Sequence, residues 1–305
     1  MSRYVVSLGG NALGNDAASQ KALVKQVAEP IVKLIEDGHE VVIVHGNGPQ
    51  VGMINLAFTE SSSTPDMPFP ECGAMSQGYI GFHIQNAIQN RLAKKQNGKA
   101  VAALVTQVLV DKDDPNFANP SKPVGAFYTK EEAEALQKDK GYIMKEDSGR
   151  GYRRVVASPR PIDIIEKPMI TSLLKDNHVV ICSGGGGIPV IRKDNQLEGI
   201  AAVIDKDYAS AKVAELIDAD VLVILTAVDH VFVDFGKPTE RALKTVDVKS
   251  LEPMLESDVF GAGSMHPKVK ACTDFVRKSG NTAVISSLEK AVDAFDKKIG
   301  TIITP

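Results

Sequence analysis

Residues 3–11, RYVVSLGGN, and residues 40–49, EVVIVHGNGP, decide the fold. Each is a β-branched run that stops at glycine and asparagine, and between them Leu23, Val27, Ile31, Leu34 and Ile35 recur at helical spacing. Strand, helix and strand in that order make a βαβ unit with parallel strands. Pro30 falls inside the helical stretch, where it removes one backbone bond and crowds the preceding turn, so one bent helix is expected.

Working outward, Cys72 to Gln96 reads as a long helix with Ile80, Ile84, Ile88 and Leu92 on one stripe and Met75, Tyr79 and Phe82 on another. Two apolar faces need two partners. Either the helix is sandwiched in the core, or one face packs on the sheet and the other on a second subunit. Ala100 to Val110 reads as a further buried strand. In the second half, strands are expected over 178–182, 188–192, 199–204, 221–226, 282–285 and 300–303, with helices over 206–217 and 266–278. Asp194-Asn195 suits a hairpin turn between two of these strands. Strands separated by helices imply a mainly parallel sheet covered on both faces, an α/β fold.

Between Asp111 and Pro161 the chain turns to Asp, Asn, Pro, Gly and Lys, with brief apolar stretches at 124–128, 142–144 and 152–156. A loop this long inside a compact protein is a functional lid or a small subdomain, and it is read here as an inserted flap. With 305 residues, 43% of them hydrophobic and 24% charged, the chain has the proportions of a globular protein. Its length fits about two domains of ~150 residues, or one large α/β domain with an insertion.

Composition narrows the function. Lys and Arg total 35 against 38 for Asp and Glu, a formal charge of −3, so nothing global favours nucleic acid or anionic lipid, and any anion site is local. No apolar run approaches the ~18 residues of a membrane span, and Met1 to Leu8 is a strand meeting glycines rather than a signal peptide, so a cytoplasmic protein is expected. Cys72, Cys182 and Cys272 form no CxxC pair or Cys/His cluster; buried free thiols are expected, with neither a disulfide framework nor a zinc site. Aromatics make up 5% and Trp is absent, which weakens any reading based on stacking of bases or sugars.

The remaining chemistry lies in glycines and lysines. Gly9-Gly10-Asn11, Gly46-Asn47-Gly48 and Gly184 to Gly187 each follow a strand. Carboxyl ends of parallel strands share one edge, where bare turns let backbone N–H groups approach phosphate or carboxylate oxygens. A single glycine turn is commonly structural; three at one edge point to an anion pocket. No GxxxxGK[ST] is present, and Gly46 to Gly52 matches a dinucleotide fingerprint only faintly, with the wrong spacing. Asp205 fits a helix N-cap, and Asp207 fits the first turn that follows. Lys206 in that same turn opposes the helix dipole unless it has an anionic partner. Lys268, behind Pro267 in GAGSMHPK (261–268), repeats that oddity, and Lys122 stands between two prolines at the mouth of the flap. The structural alternative for each lysine is ordinary surface charge. His45, beside the Gly46 turn, is the one histidine of six that could carry a phosphoryl group, with a structural role as the alternative. Backbone amides plus lysines suit phosphoryl transfer by positioning and charge neutralisation.

Taken together, SLGGNAL (7–13), HGNGPQVG (45–52), CGAMSQGYIGF (72–82), NPSKPVG (119–125), GYRRVVASP (151–159), SGGGGIPV (183–190), VIDKDYASAKVAE (203–215), TAVDHVFVDFGKP (226–238) and GSMHPKV (263–269) resemble the carbamate kinases of the amino acid kinase family. The blocks run in order over nearly the whole chain. Tyr152, Ala157 and Asp234 stand where that family commonly has tryptophan, proline and asparagine, which touches the flap and a nucleotide-side loop but none of the glycines or lysines above. The resemblance implies a three-layer αβα sandwich spanning residues 1–305 as one domain, with a protruding flap over 112–160. The N-terminal half would hold the carbamate and phosphoryl site, and the C-terminal half the nucleotide.

The resemblance also implies reversible phosphoryl transfer from ATP to carbamate, giving ADP and carbamoyl phosphate, by a homodimer using Mg²⁺, typically run toward ATP in arginine catabolism. By the same resemblance Gly9, Gly10, Asn11, Gly46, Asn47, Gly48, Gly184, Gly185, Gly186 and Gly187 would surround carbamate and the moving phosphoryl group. Lys206 and Lys268 would neutralise phosphates, Asp207 would hold both ammonium groups, and Lys122 would arrive from the flap. Ala227, Val228, Asp229 and Met265, with Lys268, would line the nucleotide; protein ligands to the metal stay unassigned. Two other readings compete: a nicotinamide-dependent oxidoreductase using the Gly46 to Gly52 turn, and a non-catalytic small-molecule sensor, against which the retained lysines argue.

Overall fold

In the computed structural model, which describes residues 1–9, 13–14, 16–147, 149–257, 259–260 and 265–305, the opening βαβ unit comprises β1 (Arg3–Leu8), α1 (Ala17–Glu36) and β2 (Glu40–His45). Asp16 caps α1 by accepting from the backbone N–H groups of Ala18 and Ser19, and the Ser19 hydroxyl accepts from the Asp16 N–H in return. Pro30 does not end the helix, because tertiary packing of Val24, Val27, Ile31, Leu34 and Ile35 outweighs one lost backbone bond. The buried stripe begins at Val24 rather than at the half-buried Leu23.

Next come α2 (Gly48–Thr59), α3 (Phe69–Lys94), β3 (Val101–Ala103) and β4 (Gln107–Val110). The single strand expected over 100–110 is thus two strands, and they belong to different sheets. The cause is a side chain that replaces the ladder at the break. Gln77 of α3 accepts from the Thr106 N–H at 2.7 Å and donates to the Thr106 carbonyl at 3.1 Å, so the backbone leaves one sheet with its polar groups satisfied.

The chain then forms β5 (Lys122–Tyr128), α4 (Lys130–Lys140), β6 (Met144–Glu146) and β7 (Tyr152–Val156). These three strands make a separate antiparallel sheet in the order β5-β7-β6. Its root packs on α2 and α3 through a small cluster of Val51, Phe69, Cys72, Val124 and Val156.

The second half contains β8 (Pro161–Ile164), α5 (Lys167–Lys175), β9 (Val179–Ile181), β10 (Ile188–Lys193), β11 (Gln196–Gly199), α6 (Lys206–Leu216) and β12 (Val221–Thr226). Asp194 and Asn195, with φ of 49° and 63°, form the expected two-residue turn between β10 and β11. The strand expected over 199–204 is displaced to Gln196–Gly199: the turn fixes the register, and beyond Gly199 only Ala202 bridges to Ala157. After β13 (Val231–Val233), β14 (Arg241–Leu243), β15 (Thr245–Asp247) and α7 (Val248–Glu256), the chain closes with α8 (Met265–Ser279), β16 (Thr282–Ser287), α9 (Ala291–Phe295) and β17 (Thr301–Thr304).

The main sheet has eight strands in the order β15-β17-β16-β12-β1-β2-β9-β3, and every adjacent pair is parallel except β16-β17. Alternate residues feed two cores. Val5, Val42, Val44, Leu222 and Ile224 face α5, α6 and α8; Val6, Leu8, Ile43, Val223 and Leu225 face α1 and α3. Two helical layers therefore cover one mainly parallel sheet, the three-layer α/β architecture the sequence implies. Of the two apolar faces of α3, the stripe Ile80, Ile84, Ile88 and Leu92 is buried, whereas Met75 and Phe82 are exposed.

Candidate active site

Strands β1, β2 and β9, each followed by one of the three glycine clusters, are direct neighbours in the sheet, with β12 beside β1. Their carboxyl ends therefore form one rim. Gly9 N–H donates to the Leu225 carbonyl at the end of β12, and Gly46 N–H donates to the Leu8 carbonyl at the end of β1. Gly10 and Asn11, also assigned to this rim from sequence, lie outside the described residues.

The turn after β9 needs its glycines for space. A Cβ on Gly184 would lie 2.4 Å from the His45 ring, one on Gly185 2.1 Å from the Asn47 side chain, and one on Gly186 2.1 Å from the Ile204 carbonyl oxygen. Gly185, Gly186 and Gly187 also have φ of 69°, 95° and 86°. The run thus folds into the ends of β2 and the approach to α6. Asn47 is held in turn by donating to the Ser76 hydroxyl at 2.9 Å.

Asp205 caps α6, its Oδ1 accepting from the Asp207 N–H at 3.0 Å. That cap places Lys206 and Asp207 in the first turn, where α6 meets β1. Asp207 is 2% exposed; its Oδ1 lies 2.5 Å from Lys206 Nζ and its Oδ2 lies 2.8 Å from Lys268 Nζ. Lys206 Nζ also donates to the Ser7 hydroxyl at 2.9 Å. The anionic partner that Lys206 needs at a helix N-terminus is therefore the adjacent aspartate. Lys268, in the first turn of α8, is itself buried.

Burial pushes the Asp207 carboxyl upward, but the Lys206 and Lys268 ammonium groups outweigh it and hold the carboxyl below the usual range. Two ammonium groups around one carboxylate leave one net positive charge in a largely water-free place. Such charge is costly to bury, and an arriving anion offsets the cost.

His45 is 1% exposed, and its pKa is pushed down to about 4 by burial, with the Lys206 charge adding to the effect against a hydrogen bond to the Gly46 carbonyl. It is a neutral, packed residue near neutral pH, which favours the structural alternative for it over phosphoryl carriage. All three cysteines are buried and free, and burial raises the Cys182 thiol to about 12.

Lys122, at the start of β5, points its ammonium to Asp205 Oδ2 at 2.8 Å. A cleft of about 490 Å³ opens beside it, walled by Asn47, Gly48 and Gly52 on one side and by Lys122, Gly125 and Arg153 on the other. The positions assigned to the nucleotide follow β12, on the same rim: Ala227 is exposed, Val228 and Asp229 are half-buried, and Asp229 accepts a hydrogen bond from the Ser287 hydroxyl at the end of β16. Met265 begins α8, one turn before Lys268. The structure thus brings Gly9, Gly46, Asn47, Gly184 to Gly187, Lys206 and Asp207 to one edge, with Lys268 bonded to Asp207 and Lys122 to the adjoining cap residue.

Sequence reasoning missed Ser7, Gln77 and Arg153. Ser7 is the one polar side chain among the fully buried residues 5–8 of β1, which is a readable signal. Gln77 donates to the Gly184 carbonyl at 3.1 Å and so anchors the glycine run. Arg153 donates to the Gly125 carbonyl at 3.0 Å and faces the Phe127 ring, and its Nε is buried with no hydrogen-bond partner among the described residues.

The sequence and the fold match known proteins over nearly the whole chain. Residues 2–287 fit the model of the amino acid kinase family. The "Carbamate kinase" of Clostridium perfringens is 51% identical over 311 residues, covering 99% of each chain. The "Carbamate kinase-like protein YqeA" of Escherichia coli is 53% identical over 306 residues, 99% of this chain and 98% of its own. Among solved structures, carbamate kinase from Giardia lamblia bound to AMP-PNP superposes with a TM-score of 0.93 at 41% identity, covering 99% of this chain and 98% of that one. The chain belongs to the amino acid kinase family, on its carbamate kinase branch.

Proposed function

We propose that this protein is a carbamate kinase, transferring a phosphoryl group reversibly between ATP and carbamate to give ADP and carbamoyl phosphate. The observation that carries the reading is the buried Lys206–Asp207–Lys268 cluster, with its surplus positive charge, beside the rim of glycine turns. In this reading a carbamate oxygen attacks the γ-phosphorus as the bond to ADP breaks. Carbamate is already an anion, so no general base is required, which agrees with a neutral, packed His45. The obstacle is repulsion between two anions. Lys206 and Lys268 would neutralise the transferring oxygens, Asp207 would fix both ammonium groups, and the N–H groups of the turns at Gly9, Gly46 to Gly48 and Gly184 to Gly187 would receive carbamate and the phosphoryl group.

The small sheet β5-β7-β6 would act as a flap, bringing Lys122 to the cleft and excluding water that would hydrolyse carbamoyl phosphate. The nucleotide would lie over Ala227, Val228, Asp229 and Met265, reaching Lys268 with its phosphates. Mg²⁺ would arrive on those phosphates. Among the described residues no three carboxylate, histidine or cysteine groups gather to hold an ion; of the carboxylates named at the site, Asp205 and Asp207 already face lysines and Asp229 faces the Ser287 hydroxyl. No step is assigned to the metal. The homodimer would form on the outer face of α3, where Met75 and Phe82 are exposed beside a groove of about 1070 Å³ between α1 and α3. Among the described residues no helix is long and apolar enough to cross a membrane.

A coupled assay for ATP formation from ADP and carbamoyl phosphate tests the reading, with acetylglutamate, aspartate and glutamate as negative phosphoacceptor controls in the other direction. ATP formed from carbamoyl phosphate is expected; none formed, or equal transfer to the amino acids, would refute it. Calorimetric titration with ATP and NADH separates a kinase from a nicotinamide enzyme.

A further inference from the structure

Asp207 is not the only aspartate of Asp205-Lys206-Asp207 that holds a lysine from elsewhere. Asp205 divides its carboxylate between two tasks: Oδ1 caps α6 through the Asp207 N–H at 3.0 Å, and Oδ2 pairs with Lys122 Nζ at 2.8 Å across 83 residues of chain. The cap fixes the carboxylate to the same helical turn that carries Lys206 and Asp207. The backbone on the other side is tied as well. Lys122 pairs with Val156 in the β5-β7 ladder, the next residue, Ala157, bridges Ala202, and the Ala157 carbonyl accepts from the Val203 N–H at 2.9 Å. Both partners of the ion pair thus stand on one hydrogen-bonded frame at the root of the small sheet.

We propose that Asp205 is a positioning residue for phosphoryl transfer: it holds the Lys122 ammonium at the mouth of the cleft while taking only one of its three N–H groups, and among the described residues no other side chain pairs with that ammonium. The inference rests on the carbamate kinase reading above and extends it to the residue that aims the flap. An ammonium has three donors and a carboxylate takes one of them, so holding Lys122 costs it little of its capacity to bind an anion. A flexible four-carbon side chain loses rotamer freedom when it meets substrate; pairing with a carboxylate already fixed by a helix removes much of that loss beforehand. The pairing also cancels a carboxylate charge that would otherwise repel phosphate. The first turn of α6 therefore gathers three ammonium groups, its own Lys206, Lys268 from α8 and Lys122 from β5, using both of its aspartates.

The test is a double-mutant cycle of Asp205→Asn and Lys122→Ala, read as kcat and KM for ATP formation from ADP and carbamoyl phosphate. Asparagine keeps the helix cap and removes the charge. Asp205→Asn is expected to lower kcat/KM about tenfold when Lys122 is present and less than twofold on the Lys122→Ala background, the non-additivity of two groups acting as a unit. Equal losses on both backgrounds would mean that the Asp205 charge acts independently of Lys122 and would overturn the proposal, and no loss on either would remove its role. Hydrogen exchange of the unliganded protein gives a second, activity-independent readout. Amides of β5 and β7 are expected to exchange several-fold faster in either single variant, with those of β1 and β12 unchanged; unchanged β5 and β7 would overturn the proposal. If the wild-type chain forms no ATP, the carbamate kinase reading fails while the exchange result still decides whether Asp205 holds Lys122.

Discussion

Lys268 reaches Asp207 at 2.8 Å across 61 residues of chain, and the same carboxylate takes Lys206 on its other oxygen at 2.5 Å. The pairing joins the first turns of α6 and α8 at the end of β1. It also explains why two lysines sit at helix N-termini, where a cation is unfavourable on its own.

Removing the carboxylate tests that arrangement. Asp207→Ala leaves two ammonium groups buried without a counter-charge, a cost of about 3–5 kcal/mol by analogy with broken buried pairs. Against a typical domain stability of about 5–15 kcal/mol the fold should survive, weakened. Turnover is expected to fall roughly 10²-fold or more. Circular dichroism with a thermal melt, together with the ATP-formation assay, checks both; a fully active variant would reduce Asp207 to an acid at a helix start.

His45 gives a pH dependence. Its ordinary pKa of 6.5 falls to about 4 in the folded protein, chiefly through burial. The unfolded chain therefore takes up a proton as pH drops below about 6.5 and the folded chain does not until about 4, so the stability this residue contributes is full above 6.5 and is lost toward 4. The full difference is about 3 kcal/mol. Urea midpoints measured from pH 7.5 to 4 should decline less steeply for His45→Gln than for the wild type. Parallel curves would mean that the imidazole is solvated in the folded state.

The glycine run can be tested at its tightest point. An alanine Cβ at position 186 would meet the Ile204 carbonyl oxygen at 2.1 Å with φ at 95°, and that carbonyl lies one residue before the α6 cap. Gly186→Ala is expected to destabilise the protein by on the order of 3 kcal/mol and to lower activity by displacing Asp205 and Lys206. Gly98→Ala, at an open position with nothing within 4 Å among the described residues, should do neither. Denaturant midpoints and turnover of the two variants make the comparison, and equal behaviour would contradict the packing argument.

The strands at 3–8, 40–45 and 221–226 were legible because parallel strands covered on both faces need continuous apolar runs, and the Asp194-Asn195 turn was legible because its two residues tolerate positive φ. The break between β3 and β4 was not legible, since it depends on a glutamine 29 residues away that satisfies Thr106. The candidate site divides in the same way. Glycines after strands and lysines at helix starts carry local signals, which the family resemblance then joined. The contacts of Lys206 with Ser7, 199 residues apart, and of Lys122 with Asp205 are consequences of sheet order and carry none. Arg153 was hidden because a charged residue in a half-buried strand reads as surface until the cleft beside it is seen.

The central claim is that Lys206 and Lys268 neutralise the anions between which phosphorus moves. Its most direct test is the rate of ATP formation from ADP and carbamoyl phosphate by Lys206→Ala and Lys268→Ala, each shown to be folded. The account predicts a loss of roughly 10²-fold or more in each, the scale of removing a dedicated oxyanion donor. Losses of less than about tenfold in both would contradict it, placing the transition-state charge elsewhere on the molecule.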